Sequence, residues 1–214
     1  MRFCLLVFLA GCGVTVTEPA PIGQSKDGII SFYDGDGRGA CGYDPTNDDF
    51  TAIYTGGWAS SAACGTCIEV TGPKGVVVVR VVDHCPDCEN DHLDLRRSSY
   101  AKIANIPDGR ATVKWKTVTC PTAGNVQVQV KDGSNPFWLA IQPRNFRRPV
   151  VKVEGQKGGA WVTLSRTDYN YFLAESGLGE GPIALKLTAD DGTVVEGSLP
   201  AVVAGAVVTL NAQF

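Results

Sequence analysis

The chain has 214 residues, 44% of them hydrophobic and 19% charged, enough for one large or two small globular domains and too apolar for disorder. A formal net charge of -3 offers no general attraction to phosphate backbones, which excludes nucleic acid as a default partner. With 25 Gly and 12 Pro the chain is rich in turns, and its eight Cys point to metal or redox work in a reducing compartment, or to disulfides in an oxidising one.

The N-terminus favours export. Arg2 precedes an apolar run, Phe3–Ala10, far shorter than the roughly 20 residues a membrane helix needs but suited to the core of a signal peptide over residues 1–11. The run ends in Leu9-Ala10-Gly11-Cys12, which looks like the lipobox of bacterial lipoproteins; Cys12 would then carry the lipid and become the mature N-terminus. An ordinary signal peptide containing a cysteine is the plainer alternative. Residues 12–27, with Pro19 and Pro21 and no usable period, read as a tether.

Setting aside Cys4 and Cys12 leaves Cys41, Cys64, Cys67, Cys85, Cys88 and Cys120. The two Cys-x-x-Cys pairs have the spacing of a four-cysteine zinc site. Export, and the two cysteines that zinc would leave over, favour a disulfide framework instead.

From Gly28 to Cys120 short apolar runs alternate with turn residues. Gly28–Tyr33 is strand-like; Ile68–Thr71 turns at Gly72-Pro73-Lys74-Gly75 and returns through the β-branched run Val76–Val82, a hairpin. Leu95–Ile103 is a short helix candidate, and Ala111–Val118 a further strand. Many short strands with one helix predict a small β-barrel. Beyond Cys120 the expected strands are Val126–Val130, Trp138–Ile141, Val150–Val153, Trp161–Leu164, Ile183–Thr188, Thr193–Leu199 and Val207–Leu210. That is the sequence form of an immunoglobulin-like β-sandwich, with Trp161 as the candidate buried tryptophan.

The dense polar stretch lies in the first half: Asp83-His84-Cys85-Pro86-Asp87-Cys88, then Asp91-His92-Leu93-Asp94-Leu95. Asp83 ends an apolar strand, where a carboxylate projects from a rigid support. Asp94 lies between two leucines, where desolvation favours acid catalysis. Turn formation or helix capping is the structural alternative for both. Asp34-Gly35-Asp36-Gly37-Arg38-Gly39 imitates a calcium loop, but Arg38 takes a ligand position and Pro45 stands where the closing Glu belongs. Two histidines are too few for a His-based zinc enzyme, and no serine-hydrolase elbow or phosphate loop occurs. No cofactor or metal is expected. In the second half Phe137, Trp138, Trp161, Tyr169 and Tyr171 are either core or a surface that stacks on sugar rings, with Lys131, Arg144, Arg147 and Arg148 as basic neighbours.

The chain resembles bacterial expansins across nearly all of residues 28–214. The resemblance rests on Ser31-Phe32-Tyr33, Ala40-Cys41-Gly42-Tyr43, Cys64-Gly65-Thr66-Cys67, Val82–Pro86 and His92-Leu93-Asp94-Leu95, and in the second half on Gly133–Gln142, Arg144-Asn145, Trp161 and Asp168–Phe172. It implies an all-β protein: a six-stranded double-psi β-barrel over 28–121, then an immunoglobulin-like cellulose-binding sandwich over 124–214. It also implies loosening of walls by disruption of noncovalent glucan contacts, without hydrolysis.

By position, Asp94 matches the family's essential carboxylate, with Asp83 and Ser31 beside it; Ser31 stands where Thr is commoner. Tyr33, Lys131, Phe137, Trp138 and Tyr169 become substrate contacts, Phe137 replacing a usual Trp. By analogy the pairs are Cys41–Cys64, Cys67–Cys120 and Cys85–Cys88, although some members have Tyr in place of Cys85. The expected partner is polysaccharide (cellulose, with xyloglucan and peptidoglycan as further candidates), bound by a monomer whose link to a membrane is the lipid anchor alone. Hydrolysis or peptidoglycan lytic transglycosylation through Asp94 is the alternative, with Asp34 or Asp36 near the position of an endoglucanase base. A carbohydrate-binding surface lipoprotein without activity is the third reading.

Overall fold

The computed structural model describes residues 18–214, so the signal-peptide and lipobox assignments lie outside the described residues. The first unit contains β1 (Lys26–Tyr33), β2 (Phe50–Tyr54), the short helical turn α1 (Thr55–Trp58), β3 (Cys67–Gly72), β4 (Gly75–Cys85), β5 (His92–Arg96), α2 (Arg97–Ile103) and β6 (Ala111–Val118). Its strands close into a barrel in the order β1-β5-β2-β4-β3-β6. The pairs β1/β5 and β2/β4 are parallel, which identifies the crossed connections of a double-psi barrel.

Alternation along these strands sends Ile30, Ile53, Val79, Val81, Leu93, Leu95 and Val113 into a core that also holds Tyr100, Ile103 and Trp115. The hairpin β3–β4 pairs Gly72 with Gly75, as its turn residues predict. Helix α2 is shorter than expected: His92-Leu93-Asp94-Leu95 alternates as a strand, so Leu95 belongs to β5 and the helix begins at Arg97.

The described part of the expected tether is packed rather than free. Pro19 is buried, the Gly23 N–H donates to Thr117 O at 2.9 Å, and Lys26 and Asp27 are already in β1.

All three disulfides link the pairs implied by the resemblance. Cys64 and Cys67 are bonded to different partners, Cys41 and Cys120, so the two Cys-x-x-Cys pairs do not converge on one metal. Closing loops of 23 and 53 residues removes denatured-state entropy worth roughly 3 and 4 kcal/mol in the chain-entropy account.

The second unit is a sandwich. One sheet contains β9 (Val150–Lys157), β10 (Ala160–Thr163), β13 (Ile183–Ala189) and β14 (Val194–Leu199). The other contains β7 (Gln127–Val130), β8 (Leu139–Arg144), β11 (Ser165–Arg166), β12 (Phe172–Ala174) and β15 (Val207–Thr209). Val128, Leu139 and Ile141 from one sheet and Val153, Leu185, Leu187 and Val195 from the other share a core. The expected buried tryptophan is absent from it. Trp161 is 39% exposed on the sheet-edge strand β10, with the Lys186 ammonium 4.2 Å from its ring. Phe146 and Phe172 supply the aromatic bulk instead.

The two units are bonded at a buried seam. Gln142 Nε2 and Asn170 Nδ2, both from the sandwich, donate to the carbonyl of Cys41 in the barrel at 2.9 Å each. Ser61 Oγ donates to Thr167 O at 2.7 Å, and Arg144 pairs with Asp44 and donates to Gly42 O. Arg166 stacks on Phe172 in the same region, where burial lowers its pKa to about 10.

Candidate functional site

The polar site follows from register. Ser31 on β1 lies opposite Asp94 on β5; Asp94 lies opposite Ala52 on β2; Ala52 lies opposite Asp83 on β4. These residues form one row across four neighbouring strands. The adjacent row, Ile30–Leu93–Ile53, points into the core, so the pleat sends the polar row to the other surface. Asp83 joins the row through a β-bulge. Thr51 pairs with Val81 but Ala52 with Asp83, so Val82 is the extra residue.

Within the row, Ser31 Oγ donates to Asp94 Oδ1 and lies 2.9 Å from His92 Nε2. Asp83 is held by backbone: its Oδ1 accepts from the N–H of Ala40 at 2.7 Å and of His84 at 2.8 Å. Gly39 is required beside it, because a Cβ there would stand 2.5 Å from Asp83 Cγ. Neither aspartate caps a helix; α2 has no side-chain cap. Tyr33 extends the site from β1. Its hydroxyl is buried without a partner, and burial, with the nearby charges of Asp83, Asp94 and Asp36, pushes its pKa well above the usual phenol value.

Asp34 and Asp36 stand at the rim and are occupied. Arg97 grips Asp34 through two bonds of 2.7 and 2.6 Å, and Arg38 grips Asp36 in the same manner. These hydrogen bonds hold both carboxyls below the ordinary carboxylate range. His84 turns away: it stacks on Trp58 at 5.0 Å and meets Thr55 Oγ1 at 3.1 Å.

The aromatic group lies on the sandwich. Phe137 and Trp138 do not alternate along a strand, because Asn135 to Trp138 is a tight turn ahead of β8, with the Phe137 N–H on Asn135 Oδ1 at 2.9 Å. Phe137 is 81% exposed, Tyr169 41%, and Trp138 partly exposed. Tyr171 lies 6.0 Å from Tyr169 between ring centroids, and the Lys131 ammonium lies 5.6 Å from the Tyr171 ring. Tyr171 also approaches Gly42 of the barrel, which places an aromatic ring at the seam between the two surfaces.

Of the basic neighbours, Arg144 is tied to Asp44 and Gln142, Arg147 to Thr122 O, and Arg148 to Asp190 and Asp191. They are structural; Lys131 remains with the aromatics. Sequence reasoning gave His92 no role of its own and named Tyr171 as core or stacking surface without assigning it to the site; alternation with Asp94 and with Tyr169 was the available signal.

A double-psi barrel carrying a serine–carboxylate row, joined through a bonded seam to a sandwich that displays aromatic rings, defines a specific class of two-unit protein. Residues 25–130 match a family model described as lytic transglycolase. The chain is 38% identical over 160 residues to Expansin-YoaJ of Bacillus subtilis, covering 73% of this chain and 68% of that protein. It is 29% identical over 202 residues to Expansin-like protein 5 of Dictyostelium discoideum, covering 86% and 83%. The crystal structure of apo Clavibacter michiganensis expansin superposes with a TM-score of 0.84 at 31% identity, covering 89% of this chain and 98% of that one. A mutant of the same expansin in complex with cellohexaose also gives 0.84, at 30% identity. The chain belongs to the expansin family.

Proposed function

We propose that this protein binds cellulose along a surface from the barrel groove to the sandwich aromatics and loosens plant-type cell walls by disrupting noncovalent glucan contacts. The observation that carries the nonhydrolytic reading is the state of the carboxylates around Asp94. Inverting hydrolysis needs an acid and a free base roughly 6.5–9.5 Å apart, with water between them. Here Asp34 and Asp36 are occupied by arginines, and Asp83 accepts two backbone N–H groups. Asp94 is then a hydrogen-bond acceptor for glucan hydroxyls, with Ser31 and Tyr33 beside it. Phe137, Trp138, Tyr169 and Tyr171 stack on sugar faces, with Lys131 holding hydroxyls. Cellohexaose in the Clavibacter relative supports the ligand class.

A lytic transglycosylase reading, with Asp94 alone as acid on peptidoglycan, is favoured by one finding: the barrel's match to the lytic transglycolase model. Reducing-end assays on amorphous cellulose and xyloglucan, with an assay for soluble 1,6-anhydro sugar products from peptidoglycan, separate the two. We expect binding to cellulose with no sustained release from any of the three. Release that D94N abolishes would establish the enzymatic reading instead.

Family membership and three disulfides support export. Attachment through Cys12 is a further part of the proposal. Metabolic labelling with a fatty acid, lost on Cys12→Ser, would establish it.

A further inference from the structure

His92 has no part in the proposal so far, yet it is built into the site. It precedes Asp94 by two residues on β5 and so shares its face; it is 2% exposed, and its Nε2 lies 2.9 Å from Ser31 Oγ. The Ser31 hydroxyl has one hydrogen, and that hydrogen goes to Asp94 Oδ1. The carboxylate has none to return. Ser31 Oγ can therefore only accept from the imidazole, which puts the ring hydrogen on Nε2.

The other ring nitrogen leads to the same tautomer. Nδ1 is buried with no partner. A bare lone pair in such a place costs less than a stranded N–H. Burial, and then the charge of Arg110, lower the pKa of the ring, while Asp94 and Glu89 pull it upward. The ring is thus neutral near pH 7, with a single hydrogen to place.

We propose that His92 is a positioning residue of the groove: its Nε2–H donates to Ser31 Oγ, holds the serine hydrogen on Asp94 Oδ1, and leaves Asp94 Oδ2 for a glucan hydroxyl. This chain of donors has one direction, from the buried His92 ring through Ser31 to Asp94. Without it the serine hydroxyl is free to rotate toward water or substrate, and the carboxylate loses its fixed edge. The inference deepens the assignment of the groove to polysaccharide and rests on it.

The test has two arms. Two-dimensional nitrogen-15 NMR of the full chain near pH 7, with the two histidines told apart by a His84 variant, reads the His92 tautomer directly. The Nε2–H form is expected; an Nδ1–H form overturns the proposal whatever the protein's function. The second arm compares His92→Gln, whose amide offers a donor near the Nε2 position, with His92→Leu in a wall-creep assay. H92Q should exceed H92L by about fivefold, the scale of one hydrogen bond. Equal activity in two folded variants would overturn the positioning role. Should D94N creep like wild type while the tautomer is as expected, the functional reading fails and the hydrogen-bond chain stands.

Discussion

Asp83 and Asp94 stand opposite the same residue, Ala52, from the strands on either side of it. Two strand spacings separate their backbones, about 10 Å. The two carboxylates nevertheless have different roles. Asp94 accepts from one serine hydroxyl, whereas Asp83 is committed to the backbone N–H groups that fold the Gly39–Ala40 loop over the bulge.

Asp83 should therefore matter first for stability. Asp83→Ala strands two N–H groups and should lower the unfolding free energy by about 1–3 kcal/mol, whereas Asp83→Asn keeps an acceptor and should cost less. Urea denaturation of the three proteins decides it, and an Ala variant as stable as wild type would remove the structural role.

The seam centred on the Cys41 carbonyl should fix how the two units meet. Gln142→Leu with Asn170→Ala removes both donors to it and should destabilise by about 2 kcal/mol. Small-angle scattering should show a broader range of inter-unit arrangements. An unchanged profile and unchanged stability would show that the remaining contacts suffice.

Phe137 and Tyr169 are too exposed to carry the core. Phe137→Ala with Tyr169→Ala should leave thermal stability within about 0.5 kcal/mol. The same double substitution should weaken cellulose binding about tenfold, from two stacking contacts of about 0.5–1.5 kcal/mol each. Pull-down on microcrystalline cellulose is the measurement, and undiminished binding would remove the platform assignment.

Tyr33 connects the groove to alkaline stability. Unfolded, a phenol ionises near pH 10; folded, Tyr33 keeps its proton to higher pH because burial and carboxylates oppose its charge. Its contribution is thus intact below about pH 10 and lost as pH rises from there toward the folded value. Tyr43, Tyr54 and Tyr171 are raised in the same sense. Tyr33→Phe should be neutral or stabilising at pH 7, since the lost hydroxyl has no partner, and should lose less stability between pH 9 and 11. An equal alkaline loss in both proteins would contradict this.

What the sequence made legible was local. The strand Ala111–Val118 was expected with its observed ends, and the valine run of β4 and its hairpin turn were plain from β-branching. Strand β2 was not anticipated, because Phe50–Tyr54 is buried throughout and has no alternation to betray it. Strand β5 was hidden because His92–Arg96 runs directly into α2. The site residues Ser31, Asp83 and Asp94 were individually visible, but the row that joins them depends on non-local pairing and on a one-residue bulge, which single-chain periodicity does not encode. The exposure of Trp161 has the same origin, since whether a strand lies at a sheet edge is decided by its partners.

The central claim is that Asp94 acts on glucan contacts within a wall. Creep of a clamped, heat-inactivated plant wall under constant load, wild type against D94N, tests it most directly. The account predicts that D94N still folds and binds cellulose but loses extension by about tenfold or more, as expected for removing a charged hydrogen-bond acceptor. A D94N protein that extends the wall as wild type does would contradict it.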